Sequence, residues 1–409
     1  MNIKNMLKTI ATIAMILLSG HVAAGDQARP SSDSPSRAID IVVEQKMKEV
    51  GMVGLGAALI VNKTVVWTKG YGFADKEHLV PFTSNTIMNI GSISKTFTGV
   101  ALMRAVQEGK LSLDEDINAY LPFKVIHPFF PNESITLRQL ATHTSSITDR
   151  WQVYENTYHY GGDSPESLEE FLRMYFAPGG KHYSKDNFLD VKPGTHREYS
   201  NIGAGLAGAI VESAVGEKLN TYTKRHIFSP LRMDNTGWFL SEIGQGKHAR
   251  LYVAQSGLAI PISVYGGTTY PDGGVRTSVF DLSKFFIALL NDGEYEGARI
   301  LEKKSVDEML RFQYTEINKP DNVNLKGEDS VNSGIFWATK YDVTRIGHNG
   351  SDPGVRTMML SDLSKEIGVI LFTNTSLCDH EMGAFGDIFE ALWKHAEKWK
   401  SGEHQETKK

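Results

Sequence analysis

The chain has 409 residues, 43 Lys and Arg against 48 Asp and Glu, a formal net charge of −5 and 41 % hydrophobic residues. At roughly 100–200 residues per domain, this length accommodates a large core shared by two lobes. So mild a charge excludes the basic field of a nucleic-acid or anionic-membrane binder, and glycines without a fixed repeat exclude a solenoid or propeller.

In chain order, residues 1–24 read as a secretory signal peptide. Lys4 and Lys8 precede an apolar run over 9–18, and Val22-Ala23-Ala24-Gly25 supplies the small residues of a cleavage site near Ala24 or Gly25. The run is about ten residues, against about 20 for a membrane span. His21 stands where a lipid-anchored protein needs Cys. The expectation is a periplasmic or secreted protein with no stable membrane span in the mature chain. Residues 25–37, polar with Ser and Pro, read as a linker. The one cysteine, Cys378, forbids an internal disulfide, and it reads as a small buried or partly buried residue after a strand rather than as a nucleophile.

Ile39, Val42, Val43, Met47 and Val50 recur at helical spacing, with Ser36 as the expected cap. A hairpin follows: 55–61 apolar, Asn62-Lys63 the turn, 64–73 β-rich. The middle shows helix-like stretches at 92–108, 137–142, 168–175, 202–215, 219–227 and 279–291, separated by loops rich in Gly, Pro and aromatics. Strands are expected at 335–339, 343–347, 356–360 and 366–373. A final helix is expected over 381–399, and a polar tail over 401–409. The predicted fold is α+β: an antiparallel sheet with flanking helices drawn from both chain ends (about 38–90 and 331–399), plus a mainly helical lobe (about 91–330), in one domain over 38–400. The seam between two lobes is a common place for a pocket.

Three motifs carry chemistry. In Gly91-Ser92-Ile93-Ser94-Lys95, Ser and Lys three apart share one face of a helix start. Lys95 then stands beside the Ser92 hydroxyl, and the Ser92 N–H is one of the unpaired donors of the helix N-terminus. An acyl-transfer nucleophile needs both features. Tyr199-Ser200-Asn201 precedes a Gly/Ala-rich helix; a tyrosine becomes a general base when a nearby cation favours its anion, and Asn201 offers a donor and an acceptor to a substrate amide. His348-Asn349-Gly350-Ser351 ends a predicted strand whose edge faces the seam. Such an edge pairs with an extended substrate backbone, Gly350 permits close backbone approach, and the Ser351 N–H is a candidate second oxyanion donor.

S-x-x-K, Y-x-N and H-x-G in this order resemble the class C β-lactamase, DD-peptidase and family VIII esterase group of serine hydrolases, over about residues 39–399. Leu111-Ser112-Leu113-Asp114, the Thr142-His143-Thr144-Ser145 segment, Asp272-Gly273-Gly274-Val275 and the glycines from Gly347 to Gly354 are similar as well. The resemblance implies a β-lactamase/transpeptidase-like fold. It implies Ser92 as nucleophile, Lys95 and Tyr199 as its activators, Asn201 as holder of the substrate amide, and the Ser92 and Ser351 N–H groups as oxyanion hole. His348 takes the place of the Lys that class C β-lactamases use to help bind the β-lactam carboxylate, and a neutral His supplies no fixed charge. Histidine there is usual in D-aminopeptidase, esterase and amidase relatives. Ser146 stands where relatives often have Gly.

The expected activity is therefore acyl-enzyme hydrolysis of a small amide or ester, such as a D-amino acid peptide or a short ester. The alternatives are a β-lactamase or DD-carboxypeptidase, and an acylated sensor that barely turns over. A small-molecule or peptide substrate is the expected partner, with no nucleic acid, no cofactor and no metal. Asp149, Arg150, Trp151, Tyr154, Tyr158 and Tyr160 are candidates to line the substrate pocket. Gly203-Ala204-Gly205-Leu206-Ala207-Gly208 matches G-x-G-x-x-G, but no apolar strand precedes it, so it predicts close helix packing behind Tyr199 rather than a dinucleotide site.

Overall fold

The computed structural model describes residues 35–244, 246–255, 258–378 and 381–403. The expected signal peptide, most of the linker and most of the tail lie outside these residues. Helix α1 (Pro35–Val50) begins before Ser36, which therefore lies inside the helix rather than capping it.

Eight strands form one antiparallel sheet: β1 (Gly54–Val61), β2 (Thr64–Asp75), β3 (Val80–Pro81), β4 (Ser333–Gly334), β5 (Trp337–Lys340), β6 (Arg345–Asp352), β7 (Val355–Asp362) and β8 (Ile367–Thr373). Their spatial order is β4-β5-β6-β7-β8-β1-β2-β3. The two chain ends meet at β1 and β8, with Leu55 opposite Thr373 and Val61 opposite Ile367. Side chains alternate along β1. Leu55, Ala57, Leu59 and Val61 pack with α1 and α5 (Met382–Ser401), while Ala58 and Ile60 face the larger core on the other side. Both faces are covered, which is why 55–61 reads as a continuous apolar run rather than an alternating one.

Three further helices matter for the site: α2 (Ser94–Gln107), α3 (Asn201–Val215) and α4 (Val279–Leu290). The first two pack together in the helical region. Helix α4, grouped with that region on sequence, packs against β1, β2 and β8. At Gly56 a Cβ would stand 2.9 Å from Val279 Cγ2.

Two strand expectations shift. Residues 335–339 are not one strand: Ile335 and Phe336 form the turn between β4 and β5, with Phe336 at φ +48°. Val343, at φ +64°, belongs to the next turn, so β6 starts at Arg345 and runs on through His348 to Asp352. A hairpin of Leu251–Gln255 and Leu258–Ile262 was not visible in the sequence. Its second strand turns Leu258 and Ile260 outward and contains Pro261, so it lacks the apolar-inward alternation of a strand. Cys378 follows the short strand Thr375–Ser376 but is exposed, contrary to the expected burial. Its hydrogen bond to the Glu381 carboxylate pushes the thiol pKa up, which disfavours a thiolate nucleophile. Among the described residues no helix is long and apolar enough to cross a membrane.

Candidate active site

Ser92 lies in a 3-10 turn, Gly91–Ile93, and α2 begins at Ser94 rather than at Ser92. Gly91 sits at φ +53°, and a Cβ there would stand 3.1 Å from the Ser351 amide nitrogen. A side chain at this position would crowd the proposed second oxyanion donor, so Gly serves both the turn and the close approach.

Lys95 is fully buried. Its Nζ donates to Ser92 Oγ (3.1 Å), to Asn201 Oδ1 (2.7 Å) and to the Asp272 carbonyl oxygen (2.9 Å). An ammonium has three N–H donors, and all three are used. Burial disfavours this charge, but Tyr199, Asp272 and Asp149 outweigh it, and the pKa is raised. Lys95 is therefore a cation that orients the serine oxygen. The loop carrying Asp272 is pinned along α2: Thr98 Oγ1 donates to the Pro271 carbonyl (2.7 Å), and Ser94 Oγ accepts from the Val275 N–H (2.9 Å).

The second motif stands at the start of α3. The Tyr199 ring centroid is 5.0 Å from Lys95 Nζ, and the ring packs on His143 at 4.3 Å. His143 Nδ1 accepts the Ser200 N–H (3.3 Å). Burial, then the Arg197 and Lys95 charges, hold its imidazole well below the ordinary range. His143 thus serves as a neutral platform under Tyr199, a role its place in the Thr142–Ser145 segment did not reveal.

The third motif is the exposed part of an edge. Strand β5 pairs with β6 only as far as Gly347, and His348, Asn349 and Ser351 beyond it line the cleft. His348 Nδ1 lies 2.7 Å from the Asn349 carbonyl oxygen. A carbonyl only accepts, so Nδ1 carries the proton and Nε2 is an acceptor. Burial, followed by the Lys95 charge, lowers the His348 pKa to about 3. At Gly350 a Cβ would stand 2.2 Å from the Ile90 carbonyl oxygen, so the close backbone approach there is between β6 and the segment before Ser92. Thr357 Oγ1 clamps the same carbonyl at 2.8 Å.

All three motifs border one cleft of about 630 Å³, which receives Ser92, Tyr199, Asn201, His348, Asn349 and Ser351. Of the aromatic stretch, Trp151, Tyr154 and Tyr158 line it, whereas Asp149, Arg150 and Tyr160 do not. The Asp149 carboxylate instead accepts from Ser200 Oγ and from the Asn201 and Ile202 N–H groups. Tyr160 packs on Tyr265. Arg197, Lys340, Asp272 and Asp352 also line the cleft, and sequence spacing had assigned them no individual part. The G-x-G-x-x-G segment lies within α3, where a Cβ on Gly208 would stand 2.4 Å from Pro271 Cβ. Its glycines serve close packing.

The chain belongs to the beta-lactamase family of serine hydrolases, whose match covers residues 39–384. It is 24 % identical over 352 residues to protein flp of Staphylococcus aureus strain MRSA252, covering 85 % of this chain and 64 % of that protein. It is 26 % identical over 263 residues to a putative penicillin-binding protein, PbpX, of Bacillus subtilis strain 168, covering 64 % of this chain and 60 % of that one. The chain thus spans less than two thirds of these curated relatives. Among solved structures, it resembles the octameric penicillin-binding protein homologue of Pyrococcus abyssi, with TM-score 0.67 and 26 % identity over 84 % of this chain and 74 % of that one. It also shares its fold with a D-amino acid amidase of Ochrobactrum anthropi SV3, with TM-score 0.65 and 23 % identity over 87 % and 99 % of the two chains.

Proposed function

We propose that this protein hydrolyses small amides or esters, such as D-amino acid peptides or short esters, through an acyl-enzyme on Ser92. The observation that carries the reading is the Lys95 ammonium, whose three N–H groups end on Ser92 Oγ, Asn201 Oδ1 and the Asp272 carbonyl. With Lys95 held as a donor, we assign the Ser92 proton to Tyr199, whose ring centroid lies 5.0 Å from Lys95 Nζ. Ser92 Oγ then attacks the acyl carbon, the Ser92 and Ser351 N–H groups hold the oxyanion, and Tyr199 returns the proton to the leaving group. Water enters by the same route to release the acid. The buried, neutral His348 supports substrates that need no cation at that position.

A second reading, a β-lactamase or DD-carboxypeptidase, is favoured by Arg197 and Lys340. Both line the cleft, Arg197 Nε is buried without a hydrogen-bond partner among the described residues, and burial followed by the Arg197 charge lowers the Lys340 pKa. Cations crowded in this way suit a substrate carboxylate.

A fluorophosphonate probe tests the nucleophile: wild type becomes labelled and Ser92→Ala does not. Equal labelling of the two overturns the proposal. Turnover of D-amino acid amides, short esters and a chromogenic cephalosporin then separates the two readings, and a burst without turnover supports a sensor. Export is part of the proposal, on the pattern of residues 1–24; a mature N-terminus near residue 25 in the secreted or periplasmic fraction is the expected result.

A further inference from the structure

Two acidic residues line the cleft beside Ser92. Asp352 directly follows Ser351 on β6, and its Oδ2 is 3.3 Å from where a Cβ on Gly91 would stand and 3.4 Å from one on Gly273. Asp272 is 5 % exposed.

The hydrogen bonds seen on these carboxylates come from neutral groups. Tyr158 OH donates to Asp352 Oδ1 (2.7 Å) and Tyr154 OH to Asp272 Oδ1 (3.1 Å). Lys95, Arg276 and Arg356 are the nearby cations. Lys95 donates to Ser92, Asn201 and the Asp272 carbonyl. Arg276 donates to the carbonyls of Trp238, Gly274 and Tyr265, and Arg356 to those of Asp352, Val355 and Leu377. Burial is the main cause that pushes Asp272 up to about 7 and Asp352 up to about 6.

Unpartnered polar atoms meet at the same place. Asn89, 2 % exposed, gives its Nδ2 to Tyr265 OH (2.9 Å), yet its Oδ1 has no partner among the described residues, and neither does Asp272 Oδ2. Both residues border a cavity of about 20 Å³ that Asp352, Tyr154 and Tyr158 also border, together with Arg276 and its unpartnered Nε. Native proteins rarely leave buried acceptors unmet. Among the described residues no group of three or more His, Cys, Asp or Glu could hold a metal ion. A compact cation with several N–H donors fits the pair of carboxylates, and the rings of Trp151, Tyr154 and Tyr158 that line the same cleft suit it too.

We propose that Asp272 and Asp352 form a subsite for a primary ammonium group carried on the acyl part of the substrate. The inference rests on the acyl-enzyme reading, because Ser351 then fixes the acyl oxygen and Asp352 is the next residue. An amine on the carbon adjacent to the scissile carbonyl is the group assigned to that carboxylate. The favoured substrates are amides or esters of an amino acid whose amine is unblocked.

The test compares D- and L-alanine p-nitroanilide with their N-acetyl derivatives, using the mature chain. Wild type prefers the free amine in kcat/KM by at least about tenfold, Asp352→Asn reduces the preference to about twofold or less, and Asp352→Glu restores part of it. Equal or better turnover of the acetylated substrates overturns the proposal, as does an Asp352→Asn variant that loses both activities in the same ratio. Calorimetry of Ser92→Ala with alaninamide and N-acetylalaninamide reads the subsite without turnover. Binding confined to the free amine supports it, and equal or absent binding of both overturns it. Absence of fluorophosphonate labelling marks a failure of the hydrolase reading instead, and the calorimetric result stands apart from that.

Discussion

Asp149 fastens Asn201, the residue that accepts a hydrogen bond from Lys95. Its Oδ2 accepts the Asn201 N–H at 2.8 Å, while its Oδ1 accepts Ser200 Oγ at 2.7 Å and the Ile202 N–H at 3.0 Å. Asn201 in turn accepts from Lys95 Nζ. One carboxylate from a loop therefore caps α3 and sets the position of the lysine that touches Ser92. Asp149→Ala is expected to lower stability by about 1–2 kcal/mol, the scale of a lost N-cap, and to slow fluorophosphonate labelling more than that destabilisation alone accounts for. Chemical denaturation read beside labelling rate under native conditions checks both; a stability loss with an unchanged rate removes the positioning role.

Tyr199→Phe keeps the ring that packs on His143 and faces Lys95 and removes only the hydroxyl. Acylation of Ser92 should slow by about 10²-fold or more, the usual scale for a general acid–base group. Stopped-flow measurement of the acylation phase is decisive, and a rate near wild type would assign the proton to another acceptor.

His348 couples the site to acid stability. Its folded pKa, about 3, lies below the ordinary value of 6.5, so the unfolded chain takes up a proton there that the folded chain refuses. The stabilisation is present above pH 6.5 and is lost as pH falls toward the folded value. Between pH 7 and pH 5 this loss amounts to about 2 kcal/mol. Urea titrations should show His348→Gln losing about 2 kcal/mol less than wild type over that interval.

Ser146 occupies the left-handed region at φ +59° and is almost fully buried. An L side chain there costs about 1 kcal/mol relative to Gly. Ser146→Gly should raise the unfolding free energy by about that amount, measured by denaturant midpoint at constant m value.

Gly208→Ala tests why the glycines of α3 are there. The added methyl would meet Pro271 Cβ at 2.4 Å, one residue from the Asp272 carbonyl that receives Lys95. Overpacking of this kind costs about 1–3 kcal/mol, so a lowered melting temperature is the expected reading.

The parts of the site that were legible in the sequence are those whose chemistry is local. Ser92 and Lys95 meet because three residues make one turn, and Tyr199 and Asn201 are fixed by the start of one helix. His348 and Ser351 could be joined to them only by resemblance, since the contact depends on strand pairing far along the chain. Asp149 stands in a stretch that reads as pocket lining, yet its partners lie about fifty residues on, and capping across such a loop leaves no spacing to read. Asp272 and Asp352 stood in segments noted for their glycines. What sets them apart is that both line the cleft beside Ser92, a property of the assembled chain. The sheet was legible at its centre, where β1 and β8 are apolar throughout, and less so at β4–β6, where left-handed turns at Phe336 and Val343 displaced the strand limits.

The docking of Thr357 on the Ile90 carbonyl joins positions 267 apart in the chain. Ser92 leaves the ribosome long before the strands that complete its surroundings. A nascent or C-terminally truncated chain carries the serine and the lysine but no Ser351 N–H, no His348 edge and no clamp on Ile90. The cleft is thereby incomplete until β6 and β7 have been made, and proteolytic loss of these strands would dismantle it without touching Ser92.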